Sequence, residues 1–164
     1  MRHLEILFGI FAVGILVLLF FLFFGLIRYL IQNYLLYRIG QHMNLDIPVV
    51  SFIPFGSFYV GGQLWDGEIL EKGKYKPTDI GLILTIIAVI VWLMGLSIGD
   101  FAISYLVLES VMFFGVFSLF FKGNKLVAGL MSLLNVLLFG IPSIIILFLM
   151  YRDLQQKKGT PINL

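Results

Sequence analysis

Charged positions are spread so unevenly along these 164 residues that they divide the chain by themselves. From Ile6 to Ile27 runs a stretch of 22 residues without a charge. At the rise of an α-helix it is about 33 Å long, enough to cross a hydrocarbon core of about 30 Å. Ile80–Ile98, Phe101–Phe121 and Leu126–Met150 form three further runs of similar length. The pattern predicts an all-α, polytopic transmembrane helical bundle with spans at about 6–27, 80–98, 101–121 and 126–150. Arg2 and His3 ahead of the first run also suit a signal peptide, but such apolar cores are about 7–15 residues long and end in small residues. Here the run closes on Phe23, Phe24, Gly25, Leu26, Ile27 and then Arg28, which predicts a retained anchor.

The turns follow from what lies between the runs. Gly99 and Asp100 alone separate the second from the third and predict a tight antiparallel hairpin, with Asp100 as a turn former. Lys122, Gly123, Asn124 and Lys125 make an equally short turn before the fourth. Thr78 or Asp79, behind Pro77, can cap the second helix. Pro142 lies inside the fourth run, where a missing amide hydrogen predicts a kink.

The segment 28–65 is harder to place. Residues 28–43 read as helical but without one clean polar face, and Tyr29, Tyr34 and Tyr37 with Arg28 and Arg38 suit an interfacial belt. The following apolar stretch, 47–62, is broken by Pro48, Pro54, Gly56, Gly61 and Gly62 and is short for a span. It predicts a re-entrant or interfacial hairpin, with a fifth span as the alternative. Residues 66–79 form a polar loop and 151–164 a polar tail. With four spans the 28–79 segment and the 122–125 turn share the more basic side, which the positive-inside rule puts in the cytoplasm. With five spans the two sides are nearly balanced.

Composition sharpens the class. Hydrophobic residues are 60% and charged residues 12% of the chain, about half the charged share of a soluble domain. A net charge of +2 gives no basic footprint for nucleic acid. No cysteine is present, which removes disulfides, thiolate metal sites and cysteine nucleophiles. His3 and His42 are isolated, and no zinc-protease, serine-hydrolase or phosphate-loop motif occurs, so neither metal nor cofactor nor catalysis is expected.

Glu109 stands out because it is the one charged residue inside a run, at the ninth position of the third. A carboxylate at that depth costs roughly 2.5–3.5 kcal/mol if it meets lipid, so it should face protein, water or another subunit. Asn135, with Ser132 one turn earlier, is its expected partner on the fourth helix, because no basic residue is expected at matching depth. Gly95 and Gly99 make a small-xxx-small packing pair. Ser104, Ser110 and Ser118 can bond the preceding turn, Trp65 and Trp92 suit interface anchors, and the phenylalanines of the first helix cover several faces, as lipid contact requires.

Leu35–Gly40 with Arg38, followed by Ile53, Pro54, Tyr59, Gly61 and Gly62, resembles an element of small multi-pass membrane proteins of Gram-positive bacteria: an aromatic-basic helix, then an I-P-x-x-x-x-Y-x-x-G stretch. The resemblance covers residues 30–65 and implies a plasma-membrane setting and an accessory role. In physical terms, Pro54 and the glycines should stop a helix from crossing and leave Tyr59 near the headgroups. Together these features point to a non-catalytic membrane subunit or interaction protein. It would dock through intramembrane helices to another membrane protein or to itself, in a secretion, transport or envelope machine or as an immunity protein. The alternative is a small oligomeric transporter or channel with a polar path at Glu109 and Asn135.

Overall fold

A computed structural model describes residues 2–45, 47–65, 68–69, 75–76, 80–98, 101–122 and 124–159. The described chain is essentially all-helical: α1 Arg2–His42, a 3-10 turn Pro48–Phe52, α2 Gly56–Trp65, α3 Ile80–Ile98, α4 Phe101–Phe120, α5 Lys125–Leu137 and α6 Ile141–Gly159. Within 66–79, a two-residue antiparallel ribbon joins β1, Glu68–Ile69, to β2, Tyr75–Lys76. Gly99, Asp100, Gly123 and the proposed caps Thr78 and Asp79 lie outside the described residues.

The 41-residue α1 joins what the charge pattern divides, the run 6–27 and the segment 28–43, into one helix about 60 Å long. Among the described residues α1 is the one helix long and apolar enough to cross a bilayer, while Ile80–Gly95, Ser104–Phe120 and Lys125–Leu137 are shorter apolar stretches. Its end is a Schellman turn. Asn44 is left-handed (φ 55°), Leu45 N–H returns to the Gly40 carbonyl (2.9 Å) and Asn44 N–H to the Gln41 carbonyl (3.3 Å).

The Pro/Gly segment folds as two short helical pieces, a 3-10 turn and a ten-residue helix. The 3-10 turn runs back along α1, with Pro48 against Gly40, Ser51 Oγ donating to the Asn33 carbonyl (3.1 Å) and the Tyr29 hydroxyl donating to the Phe52 carbonyl (3.0 Å). After the exposed turn at Pro54, the chain forms α2, ten residues and about 15 Å long, most of it buried in the core. Gly61 and Gly62 are packing residues of α2: Gly61 lies on Met112 of α4 and Gly62 on Gly81 of α3, where backbones meet. Tyr59 is half-buried with its carbonyl against Gly81, so it is part of the packed body. Helix α4 runs in step with α2, through Phe58 beside Tyr105 (5.5 Å between rings) and Trp65 over Gly115. Phe58, Met112, Phe113, Phe117, Leu36 and Leu147 are fully buried in one shared core.

The run 126–150 is broken, not kinked. Helix α5 ends in a second Schellman turn, with Gly140 N–H on the Asn135 carbonyl (2.7 Å), Phe139 N–H on the Val136 carbonyl (3.2 Å) and Phe139 left-handed at φ 50°. Pro142 therefore sits in the first turn of a new helix, where its missing N–H is harmless. The Asn135 side chain accepts from the Ser143 amide at 2.8 Å. Residues eight apart on a continuous helix would be separated by about 12 Å, so the chain turns sharply at this elbow. Helix α6 then runs beside α1 in the same direction, Gly140 against Arg28 and Tyr151 beside Arg38. This puts Arg152 at the same end as Arg38, not across the molecule as four simple spans require, and the first part of the polar tail is the last turns of α6.

Candidate functional site

Helix α1 changes character at Arg28. Every side chain from Leu7 to Ile27 is exposed, and Gly9, Gly14 and Gly25 have nothing within 4 Å of a Cβ position. From Arg28 onward the helix enters the body, and polar groups cluster on one side of it. Gly25, Arg28, Tyr29, Gln32 and Asn33 fall within about 140° of arc at 100° per residue. Toward this arc α4 brings Tyr105 and Glu109, one turn apart, and the start of α2 brings Ser57.

These eight residues line a cavity of about 190 Å³. Arg28 Nη2 donates to Glu109 Oε1 in an ion pair, and Gln32 Nε2 donates to the same oxygen at 3.5 Å. Glu109 is 5% exposed. An unpaired carboxylate in such surroundings is costly, and an ion pair with a second donor offsets that cost. On its other side the Arg28 guanidinium lies flat on Gly140 at the α5–α6 elbow, so closely that any Cβ there would overlap it. Two buried polar atoms at the site have no hydrogen-bond partner: Arg28 Nε and Asn33 Oδ1. Asn33 is 1% exposed, and its side-chain oxygen is shut off from water. A buried carbonyl left unsatisfied costs about 1–3 kcal/mol.

The expected pairing of Glu109 is corrected by this arrangement. Its basic partner is Arg28, supplied by the continuation of α1 into the body. Two expected depths also become one: Arg28 at the edge of the run 6–27 and Glu109 in the middle of the run 101–121 touch. Asn135 does not reach Glu109, since its side chain caps α6 and leaves the cavity lining to others. Ser132 bonds α4 as neighbouring helices require, through the Ser110 carbonyl. Arg38 binds Tyr151 instead, donating to its hydroxyl from Nη2 (2.9 Å) and Nε (3.3 Å), and Tyr151 stacks on His42. Pro54 is an exposed turn residue, and Gly95 is half-buried near the end of α3. Ser118 bonds the preceding turn at Phe114 as its spacing predicts.

Gln32, Asn33, Tyr29 and Tyr105 were legible as i, i+4 pairs about Arg28 and Glu109. Including Tyr34, Tyr37 and Arg38 in the same plot blurs the arc. Among the described residues no cluster of three histidine, cysteine, aspartate or glutamate side chains is placed to hold a metal ion. Compared with known proteins, the chain matches no family model, no curated protein and no solved structure.

Proposed function

We propose that the chain is a multi-pass protein of a bacterial plasma membrane that acts without catalysis, binding another membrane protein through the exposed half of α1. The observation that carries this reading is a length. From Ile6 to Tyr37 the helix is apolar apart from the internally paired Arg28 and a few uncharged polar groups. Those 32 residues measure about 48 Å. Fitting them into a core of about 30 Å requires a tilt near 50°, outside the observed range of about 0–40°. The polar end is held where Arg38 meets Tyr151, so the surplus lies toward the N-terminus, where Leu7–Ile27 is exposed among the described residues. A partner helix supplies the missing cover. The shared end of α1 and α6, with Arg38 and Arg152, faces the cytoplasm under the positive-inside rule.

A photo-crosslinking amino acid at Leu16, 68% exposed, tests this in native membranes, with Leu93 of α3 as the control position. A protein adduct of one defined mass from position 16 and none from position 93 is expected. Lipid adducts alone at position 16, with recovery of a lone monomer in mild detergent, would sink the proposal.

A further inference from the structure

The polar cavity lies at the root of the exposed half of α1. Gly25 and Arg28 line it and also line an apolar cleft of about 430 Å³, walled by Phe20, Phe21 and Phe24 of α1 and by Phe139 at the elbow. A Cβ built on Gly25 would meet nothing within 4 Å, so the two volumes adjoin across bare backbone. The Arg28 side chain keeps 27% of its surface exposed, although its guanidinium is paired with Glu109.

Depth decides what can enter. Arg28 lies about 15 Å along α1 from Arg38, which on the membrane setting proposed above is near the middle of a core of about 30 Å. Lipid heads do not lie at that level, and a partly exposed guanidinium there is costly unless protein covers it. A neighbouring transmembrane helix does pass through that level, and at Gly25 the missing side chain lets two backbones come close. The cavity of about 190 Å³ equals the liquid volume of about six waters, ample for one side chain of the crossing helix. Its groups select the kind. Arg28 and Glu109 cancel, so a charged newcomer would leave a net charge at mid-bilayer, whereas a carboxamide adds none. The carboxamide oxygen can accept from the guanidinium, and its NH₂ group can donate to the Glu109 carboxylate.

We propose that the helix covering the exposed half of α1 carries an asparagine or glutamine at mid-bilayer depth, and that this carboxamide enters the cavity beside Gly25 to bond Arg28 and Glu109. The proposal rests on the docking role of α1 and supplies the directional contact that the apolar run itself lacks. The test replaces the partner by synthetic transmembrane peptides, each a span of about 20 leucines flanked by lysines, with glutamine, glutamate or leucine at its centre. The chain has no cysteine, so a donor dye on Lys125→Cys, an exposed site, reports binding of acceptor-labelled peptide by energy transfer in dioleoyl phosphatidylcholine vesicles. The glutamine peptide should bind about tenfold more tightly than the leucine peptide, the scale of one hydrogen bond between membrane helices, and more tightly than the glutamate peptide. Moving the glutamine about 9 Å from the centre, about six residues, should remove the gain.

Gly25→Leu adds a side chain in open space on an exposed helix face, so the fold should stand while the mouth of the cavity closes and the glutamine advantage disappears. Gly14→Leu, the same change in equally open space far from the cavity, should leave the advantage in place. Equal binding of the glutamine and leucine peptides by the unaltered chain would overturn the proposal, as would an advantage that survives Gly25→Leu or a preference for glutamate. The photo-crosslink at Leu16 separates this failure from that of the docking role. An adduct of one defined mass beside equal peptide binding would remove the polar anchor alone, whereas loss of the adduct would remove the docking as well.

Discussion

The two halves of α1 are one continuous helix and yet have opposite surroundings. Among the described residues Leu7–Ile27 stays exposed along its whole length and meets the rest of the chain only near its end, while Arg28–His42 is the strut on which the 3-10 turn, α2 and α6 pack. Hydrophobicity does not separate them, since Leu16 is 68% exposed and Leu36 fully buried. What separates them is polar groups. On the membrane setting proposed above, burying leucine gains little, and contacts with direction decide which faces meet. The second half has Arg28 for Glu109, the Asn33 carbonyl for Ser51, Tyr29 for Phe52 and Arg38 for Tyr151. The first half has no polar side chain between Ile6 and Ile27, and so nothing that fixes its rotation against a neighbour.

The sharpest way to break this comparison is to strip the second half of its charge. Arg28→Leu or Glu109→Leu alone leaves one buried charge unpaired, and each should destabilise the body by about 3–5 kcal/mol. The double replacement should lose far less than the sum, within about 1 kcal/mol of the unaltered chain if the leucines pack. Denaturant titration of the detergent-purified protein, followed by Trp65 and Trp92 fluorescence, reads all three. A loss in the double variant equal to the sum of the two single losses would mean that the pair is not coupled.

Truncating one leucine in each half comes next in size. Leu36→Ala opens a cavity among fully buried neighbours and should cost about 2–5 kcal/mol. Leu16→Ala should change stability by less than about 0.5 kcal/mol in the purified chain, because no contact is lost. Similar effects at the two positions would show that the first half packs on the body after all.

Much of this fold was legible in the charge pattern. The helical class, the starts of α3, α4 and α5 and the isolation of Glu109 all follow from where charges fall. Three things were not. A charge at position 28 marks the end of an apolar run, but it does not stop a helix when a partner carboxylate waits across the interface. The Leu138–Pro142 stretch carried both a stop and a start signal, glycine just past one helix and proline just inside the next, and reading the proline alone yields a kink. The glycines at 61 and 62 resembled breakers, whereas each is the place where another helix comes close. Which residues share a cavity is a tertiary fact: Glu109 was identifiable, but its partner 81 positions away was not.

The polar end of the strut offers a smaller test. Tyr151→Phe keeps the ring that Arg38 overlies and His42 stacks on, and removes only the hydroxyl that accepts from Arg38 and Gln155. A charge-assisted bond at this solvent-screened end should contribute only weakly to stability. Hydrogen exchange at the last turns of α1 and α6 should rise together in this variant. An increase confined to α6 would mean that the hydroxyl steadies its own helix and not the pairing.

The smallest expected effect is a gain, and it concerns the elbow that clasps Arg28. Phe139 holds a left-handed backbone (φ 50°), a conformation that places a non-glycine residue under strain of order 1–3 kcal/mol. Its ring is 76% exposed, so little packing is lost with it. Phe139→Gly relieves the strain, though glycine also gains freedom in the unfolded chain, and the two leave a net stabilisation of about 0.5–1 kcal/mol. Gly140→Ala, one residue on, should act in the opposite sense. Its φ of 83° disfavours any side chain, and the added methyl would push on the guanidinium and with it on the bond to Glu109. Opposite signs at adjacent positions are the signature of an elbow shaped to receive Arg28, and in a Glu109→Leu, Arg28→Leu background the penalty at Gly140 should shrink to its backbone part. A full penalty there would mean that the glycine serves the turn alone, and that the second half of α1 is held by its apolar neighbours and not by its charge.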